Sequence, residues 1–349
     1  MGRIALALMI SFVAIAANFA QASQYMQPRP LPLVGPWFDG WYIRVTDVVN
    51  KRSFATITTS ATNSYGEIIE PKFPGYVALL VSPGPSQQTR SVEYFPEKTE
   101  LGSPEGALFS AEGFGVLTEK KIDLKFPTGD EVLVHIGERV PWSASAPDTW
   151  GPQGYTNELP FVPLGWWVES LGSPVTYSIK TADGQILEGT GFAHIERSWG
   201  KTFPSAWMWV QATSDDNTAH LALAGGPLKI GFITLESFLV GYKSALVDFE
   251  LRPDQGPFAR HSHEIDACKG TFKLVAKNLR QRLEITASAP PSSFAPVSIP
   301  TDDGYVPNGG KESFSTTIEV KAFKDGRLIE TRRFEHAALE FGANYMNCP

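Results

Sequence analysis

Gly191-Phe192-Ala193-His194-Ile195-Glu196-Arg197-Ser198-Trp199-Gly200-Lys201-Thr202-Phe203-Pro204-Ser205-Ala206-Trp207-Met208-Trp209-Val210-Gln211 is the stretch on which the reading of this chain turns. Polar groups and aromatic rings crowd together here as nowhere else in the sequence. In an extended chain alternate residues share a side. Read as strand, turn and strand, the segment therefore sorts by face. His194, Glu196 and Ser198 share one side of the first strand; Trp207, Trp209 and Gln211 share one side of the second. Gly200 and Pro204 bracket the turn, as residues that break regular structure do. Two readings fit. One is a tryptophan-rich core seam with a partly buried Arg197–Glu196 pair. The other is the wall of an apolar pocket that contains a proton donor.

Outward from this segment the pattern is that of strands. The 31 glycines and 27 prolines punctuate the chain often, and short aromatic and β-branched runs lie between them. Such runs are Trp41–Val45, Phe54–Thr59, Tyr76–Val81, Ile122–Phe126, Val132–Ile136, Val175–Ile179, Trp207–Ala212, Phe232–Leu239, Ala245–Leu251, Phe272–Val275, Leu283–Ala287, Phe314–Val320 and Leu328–Phe334. Ala182-Asp183-Gly184-Gln185 and Lys324-Asp325-Gly326-Arg327 predict hairpin turns. The one helix candidate is Trp166–Leu171, and the prolines between 288 and 310 predict an exposed loop. The expected class is all-β, with two barrel- or sandwich-like halves packed side by side and few short helices.

Residues 1–22 read as a secretory signal peptide. Arg3 begins it, Ile4 to Ala17 is apolar, and Ala20-Gln21-Ala22 is a small-x-small cleavage site. No later stretch is long and apolar enough to span a bilayer as a helix. The remainder is long for one core, so two domains are expected, residues 23–202 and 203–349. The net charge of −7 without a basic block argues against nucleic acid as a partner. Cys268 and Cys348 are the two cysteines, and in an oxidising compartment they can pair. That pairing closes a loop of about 80 residues, for which chain entropy gives roughly 4 kcal/mol at most.

Three motifs in order carry a family resemblance. Glu196, Trp199, Gly200, Phe203, Pro204, Trp207, Trp209 and Gln211 fit a Glu-Lys-Asn-Trp-Gly, Phe-Pro, Trp-x-Trp-x-Gln pattern, with Arg197 and Ser198 in place of lysine and asparagine. Trp37-Phe38-Asp39-Gly40-Trp41-Tyr42 is similar to a Phe-Glu-Gly-Trp-Tyr motif, and Ala337-Ala338-Leu339-Glu340-Phe341-Gly342 to a closing Ala-Ala-Leu-Glu. Together they resemble the tocopherol cyclase family. Thr213 and Asp215 depart from that pattern beyond Gln211. The resemblance implies paired lipocalin-like β domains and the acid-catalysed closure of a prenylated phenol or quinol to a chromanol.

Such chemistry needs a positioned acid, a dry aromatic wall and an acceptor for the hydroxyl. Glu196 is the expected acid, with Asp39 in reserve and His194 or Gln211 orienting the hydroxyl. Trp41, Tyr42, Trp199, Phe203, Trp207 and Trp209 are the expected wall, where each ring face favours a nearby cation by roughly 0.5–2 kcal/mol. Glu196 read as a structural ion-pair partner remains open. So does the whole pocket read as that of a lipocalin-like carrier, which holds a hydrophobic ligand without chemistry. A secreted glycosidase is the third class, but no diagnostic carboxylate pair supports it.

Other constellations carry less. There is no Gly-x-Ser-x-Gly elbow, Walker loop or His-Glu-x-x-His. Gly189-Thr190-Gly191 reads as strand punctuation. His261-Ser262-His263-Glu264 reads as a loop with solvated histidines rather than a metal site, and Asp302-Asp303-Gly304 as a turn. No metal and no cofactor is expected.

Overall fold

The computed structural model describes residues 25–29, 36–62, 74–82, 88–103, 105–142, 151–158, 162, 164–230, 232–301 and 304–347. Residues 1–22, Cys348 and the Asp302–Asp303 pair lie outside them. Within the described residues the chain is all-β, and its helical segments are four short 3-10 turns.

The first sheet has eleven strands: β1 (Trp37–Asp47), β2 (Arg52–Thr62), β3 (Gly75–Ser82), β4 (Arg90–Tyr94), β5 (Thr99–Leu101), β6 (Ala107–Ala111), β7 (Gly115–Thr118), β8 (Lys121–Lys125), β9 (Glu131–Ile136), β10 (Leu164–Lys180) and β11 (Ile186–Gly200). Their order in space is β4-β3-β2-β1-β11-β10-β9-β8-β7-β6-β5. The second sheet holds β12 (Ala206–Thr213), β13 (His220–Ile230), β14 (Ile233–Lys243), β15 (Asp248–Leu251), β16 (Arg260–Asp266), β17 (Thr271–Lys277), β18 (Gln281–Ser288), β19 (Ala295–Thr301), β20 (Gly304–Lys324) and β21 (Arg327–Ala343). It runs β15-β14-β13-β12-β21-β20-β18-β17-β16, with β19 paired to β20. All neighbours in both sheets are antiparallel, as hairpin connections allow. The first sheet ends at Gly200 and the second begins at Ala206.

Each sheet curls around a core of its own. Trp41, Ile43 and Val45 point into the first core, and Met208, Val210 and Ala212 into the second. A third apolar cluster lies where the sheets meet, with Phe38 of β1, Trp166 of β10, Trp209 of β12, Phe314 of β20 and Ala338 of β21. β1 and β12 are therefore buried on both faces, which alternation alone cannot signal. This also explains a correction. Trp166–Leu171 is not helical; it lies near the start of β10, buried on both faces, and the spacing of Trp167, Val168 and Leu171 mimics one face of a buried helix.

Two further segments differ from expectation. Much of the 288–310 stretch is ordered as β19 and the start of β20, because Pro296 and Pro300 sit on a strand paired on one side only, where a missing N–H is tolerated. His261–Glu264 belongs to β16 rather than to a loop. The expected hairpin turns are present: Thr181 N donates to Gln185 O at 2.9 Å, and Asp325 and Gly326 have φ of 49° and 80° between Lys324 and Arg327. Positive φ at both central residues matches the right-handed twist of the flanking strands.

Candidate functional site

The register of the central strands builds the site. β1 lies against β11 with Tyr42 opposite Glu196 and Gly40 opposite Ser198. On this face of the first sheet stand Phe38, Tyr42 and Arg44 beside His194, Glu196 and Ser198. β12 faces them across the sheet interface with Trp207, Trp209 and Gln211. β12 is in turn registered on β21, which sets Trp209 opposite Glu340, and β20 sets Glu312 opposite Glu340.

Direct contacts join the two sheets. Trp209 Nε1 donates to Glu196 Oε2 at 3.0 Å, and the Tyr42 ring meets Trp209 edge-on with centroids 5.1 Å apart. His194 Nε2 lies 2.9 Å from the same Glu196 oxygen. Tyr42 donates its hydroxyl proton to Glu312 Oε1. Trp207 Nε1 donates to Glu340 Oε1 at 2.5 Å. Gly342, opposite Trp207 in the register, makes this bond possible: a Cβ there would stand 2.0 Å from Trp207 Cζ2. Deeper in, the Arg44 guanidinium reaches Gln211 Oε1, Ser53 Oγ at 3.1 Å and the His336 carbonyl at 2.6 Å.

A cavity of about 570 Å³ opens between the sheets. Phe38, Tyr42, Tyr76, Trp166, Phe203, Trp207, Trp209 and Tyr305 line it, and Glu196, Ser198 and Glu340 supply polar groups. A mostly apolar pocket with a few convergent polar groups is the usual form of a small-molecule site.

Three carboxyls gather at this wall: Glu196 and Glu340 line the cavity and Glu312 lies behind them. Glu312 is fully buried. Burial holds its pKa well above the ordinary range, and the charge of Glu340 adds to that effect. Burial likewise pushes Glu340 up to about 7, while the Trp207 N–H acts the other way and Glu196 adds to the rise. Burial raises the Tyr42 phenol well above its usual value, with Glu312 beside it, so the hydroxyl keeps its proton to donate. Desolvation thus favours the protonated form of Glu312 and Glu340, beside an aromatic surface.

The expected site residues divide between two faces. Tyr42, Glu196, Phe203, Trp207 and Trp209 line the cavity, and His194 and Gln211 lie behind it, against Glu196 and Arg44. Asp39, Trp41 and Trp199 point to the opposite face. There Arg197 grips Asp39 with two hydrogen bonds, 2.7 Å from Nε and 2.5 Å from Nη2. Trp41 and Trp199 flank the guanidinium at 5.4 and 4.6 Å. Trp41 borders the cavity, yet its indole N–H donates to Met26 O at 3.1 Å. Asp39 is thus held in an ion pair on the face away from the cavity; burial raises its pKa and Arg197 opposes the rise. The same alternation points Arg197 away from Glu196, so Glu196 is not its partner.

Sequence reasoning missed Glu312 and used Glu340 only as a motif letter. A signal was available: Glu340 interrupts the apolar run Ala337–Phe341, and a charged residue in a doubly buried strand needs a reason. His261 and His263 share a face and pack on Phe238, with centroids 4.9 and 4.7 Å away. Among the described residues no group of three histidine, cysteine or carboxylate side chains is placed to hold a metal.

Structures of CghA share this architecture. CghA is similar over 94% of this chain and 98% of its own, with 11% identity and a TM-score of 0.55. The structure of CghA with Sch210972 gives 93%, 98%, 11% and 0.54. A putative AttH from Nitrosomonas europaea aligns over 87% of this chain and 92% of its own, at 12% identity and a TM-score of 0.46. At such identities the CghA likeness speaks for the fold alone. No curated protein matches the sequence. The profile of the tocopherol cyclase-like family matches residues 139–343, a span that contains Glu196, the Trp207–Gln211 strand, Glu312 and Glu340. With more than half of its length in that match, the chain belongs to the tocopherol cyclase-like family.

Proposed function

We propose that the inter-sheet cavity binds a small hydrophobic molecule and closes a ring on it by acid catalysis, turning a prenylated phenol or quinol into a chromanol. The observation that carries this reading is Glu340: a carboxyl that lines an aromatic cavity and is pushed up to about 7, so that it can both hold and release a proton near neutrality. In the reaction the Glu340 carboxyl gives its proton to the less substituted carbon of the alkene. The tertiary cation forms against the Trp207, Trp209 and Tyr42 rings, which stabilise it and exclude water. The phenolic oxygen attacks, a C–O bond forms, and the phenolic proton passes to a carboxylate, Glu196 or Glu340. Atoms balance as an isomerisation, and no cofactor is consumed.

One observation favours the carrier reading instead. All three carboxyls already have partners, since Trp209 and His194 hold Glu196, Trp207 holds Glu340 and Tyr42 holds Glu312. Incubation of the purified protein with a prenylated hydroquinone separates the two. For the cyclase, chromanol appears, and Glu340→Gln lowers turnover about a hundredfold or more with binding retained. Glu196→Gln then shows whether Glu196 takes part in the proton transfers. A quinol that binds the wild-type protein and returns unchanged overturns the cyclase reading and leaves the carrier.

A further inference from the structure

The β13–β14 hairpin extends past its sheet. β12 pairs with β13 over His220–Gly225, and β15 pairs with β14 over Val240–Lys243. From Gly226 to Ile230 and from Ile233 to Ser237 the two strands pair only with each other among the described residues. A two-stranded ribbon of this kind ordinarily ends in polar residues. Here Phe232 at the tip is 96% exposed, Leu235 52% and Ile233 48%. Lys229 is the one charged residue at this end; Glu236 lies further back, opposite Pro227.

The apolar surface of the ribbon continues into the cavity. Leu228 and Leu235 are opposite each other in the register, and both line the cavity, as do Phe238 and Trp207. The cavity lining thus reaches onto the half-exposed part of the ribbon, three residues from the exposed phenyl ring at the tip.

We infer that this hairpin docks on a lipid bilayer, inserting Phe232, Ile233 and Leu235 among the acyl chains and opening the cavity toward the membrane. The inference rests on the reading of the cavity as a site for a hydrophobic small molecule, since such a molecule partitions into bilayers. Area decides against a protein partner. Three partly exposed side chains on a narrow ribbon fall well short of the roughly 800 Å² per side that a stable protein interface buries. A bilayer needs only their insertion, and the Lys229 stem can lie along it with the ammonium at the headgroups. The net charge of −7 makes electrostatic attraction to anionic lipid no part of the binding.

The test is flotation of the full-length protein with phosphatidylcholine vesicles, for the wild type and for Phe232→Asp. Phe232 is fully exposed, so the variant leaves every core untouched. The wild type floats, with little change at high salt, and the variant loses vesicle affinity by about tenfold or more, the order expected for one phenyl ring. A wild-type protein that stays at the bottom of the gradient, or a variant that floats equally well, overturns the inference. So does a concentration-dependent dimer in sedimentation velocity that Phe232→Asp abolishes without any vesicle binding. Binding of N-phenyl-1-naphthylamine from water judges the cavity reading separately. If the wild type fails to bind that probe but floats through Phe232, the cavity reading fails and the docking stands.

Discussion

Replacing Glu340 by Gln removes a titrating group from the site and keeps its shape, which makes its effect on the pH dependence of stability calculable. The carboxyl rises from its ordinary 4.5 to about 7 on folding. Between those values the folded protein holds a proton that the unfolded chain has released. Stability therefore falls as pH rises through this window; the contribution is fully present below pH 4.5 and is lost above about 7. At about 1.4 kcal/mol per pH unit the full loss is of order 3 kcal/mol. The Glu340→Gln variant has no such slope. Glu312 titrates in both proteins, but the charge of Glu340 is part of what raises it, so the difference between the profiles reports the coupled pair of carboxyls. The assay is denaturant unfolding of wild type and variant at several values from pH 5 to pH 8, with the difference between them plotted against pH. The expected result is a variant that is less stable than, or equal to, the wild type at pH 5 and gains on it by a few kcal/mol by pH 8. His220, which burial lowers to about 4, acts in the opposite sense below pH 6.5 and is common to both. Parallel profiles for the two proteins would show that Glu340 ionises at an ordinary pH, and the proton source proposed for the reaction would be lost with it.

Arg197→Met leaves the buried Asp39 carboxylate without its partner and should cost about 3–5 kcal/mol in unfolding free energy. Ligand affinity of the folded fraction should hardly change, since the pair faces away from the cavity; a loss of affinity with normal stability would contradict that placement. Gly342→Ala places a methyl where the Trp207 ring now lies, so the ring must move and its bond to Glu340 break. Titration with a hydrophobic probe should show weaker binding, whereas unchanged affinity would mean that Trp207 is not part of the wall. Export followed by N-terminal sequencing should give a mature protein that starts at or near Ser23, and non-reducing peptide mapping should join Cys268 to Cys348. Retention of Met1, or two freely alkylated thiols, would refute the one or the other.

The physics of burial decides how far the site could be read before the fold was seen. The Gly191–Gln211 segment reads as two strands and a turn, and the period of two places Glu196 and Arg197 on opposite faces. That sorting holds: Arg197 meets Asp39 on one side, and Glu196 meets Trp209 on the other. The same rule applied to Trp37–Tyr42 separates Trp41 from Tyr42 and groups Asp39 with Trp41. It makes one motif residue a cavity wall and its neighbour part of the packing around an ion pair. What alternation leaves open is which face meets the second sheet, because β1, β12 and the Ala193–Gly200 part of β11 are buried on both faces.

The acids were hidden for a related reason. Glu196, Glu312 and Glu340 lie more than a hundred residues apart in part, on β11, β20 and β21, and only the pairing of β20 with β21 and the packing of β12 on β11 bring them together. Nothing in local spacing predicts that convergence. A buried acid nevertheless leaves a local trace, a carboxylate amid Ala337, Ala338, Leu339 and Phe341, where an unpaired charge would be costly. The trace says that the group is either paired with a cation or kept neutral. In this protein the fully buried arginines answer the question: Arg197 serves Asp39, and Arg44 is bound by Gln211, Ser53 and the His336 carbonyl. Among the described residues no hydrogen-bonded cation is assigned to Glu340, and keeping its proton is the way a half-buried, desolvated carboxyl avoids an unpaired charge. The partner groups it does have, an indole N–H and neighbouring carboxyls, fit an acid better than an ion pair.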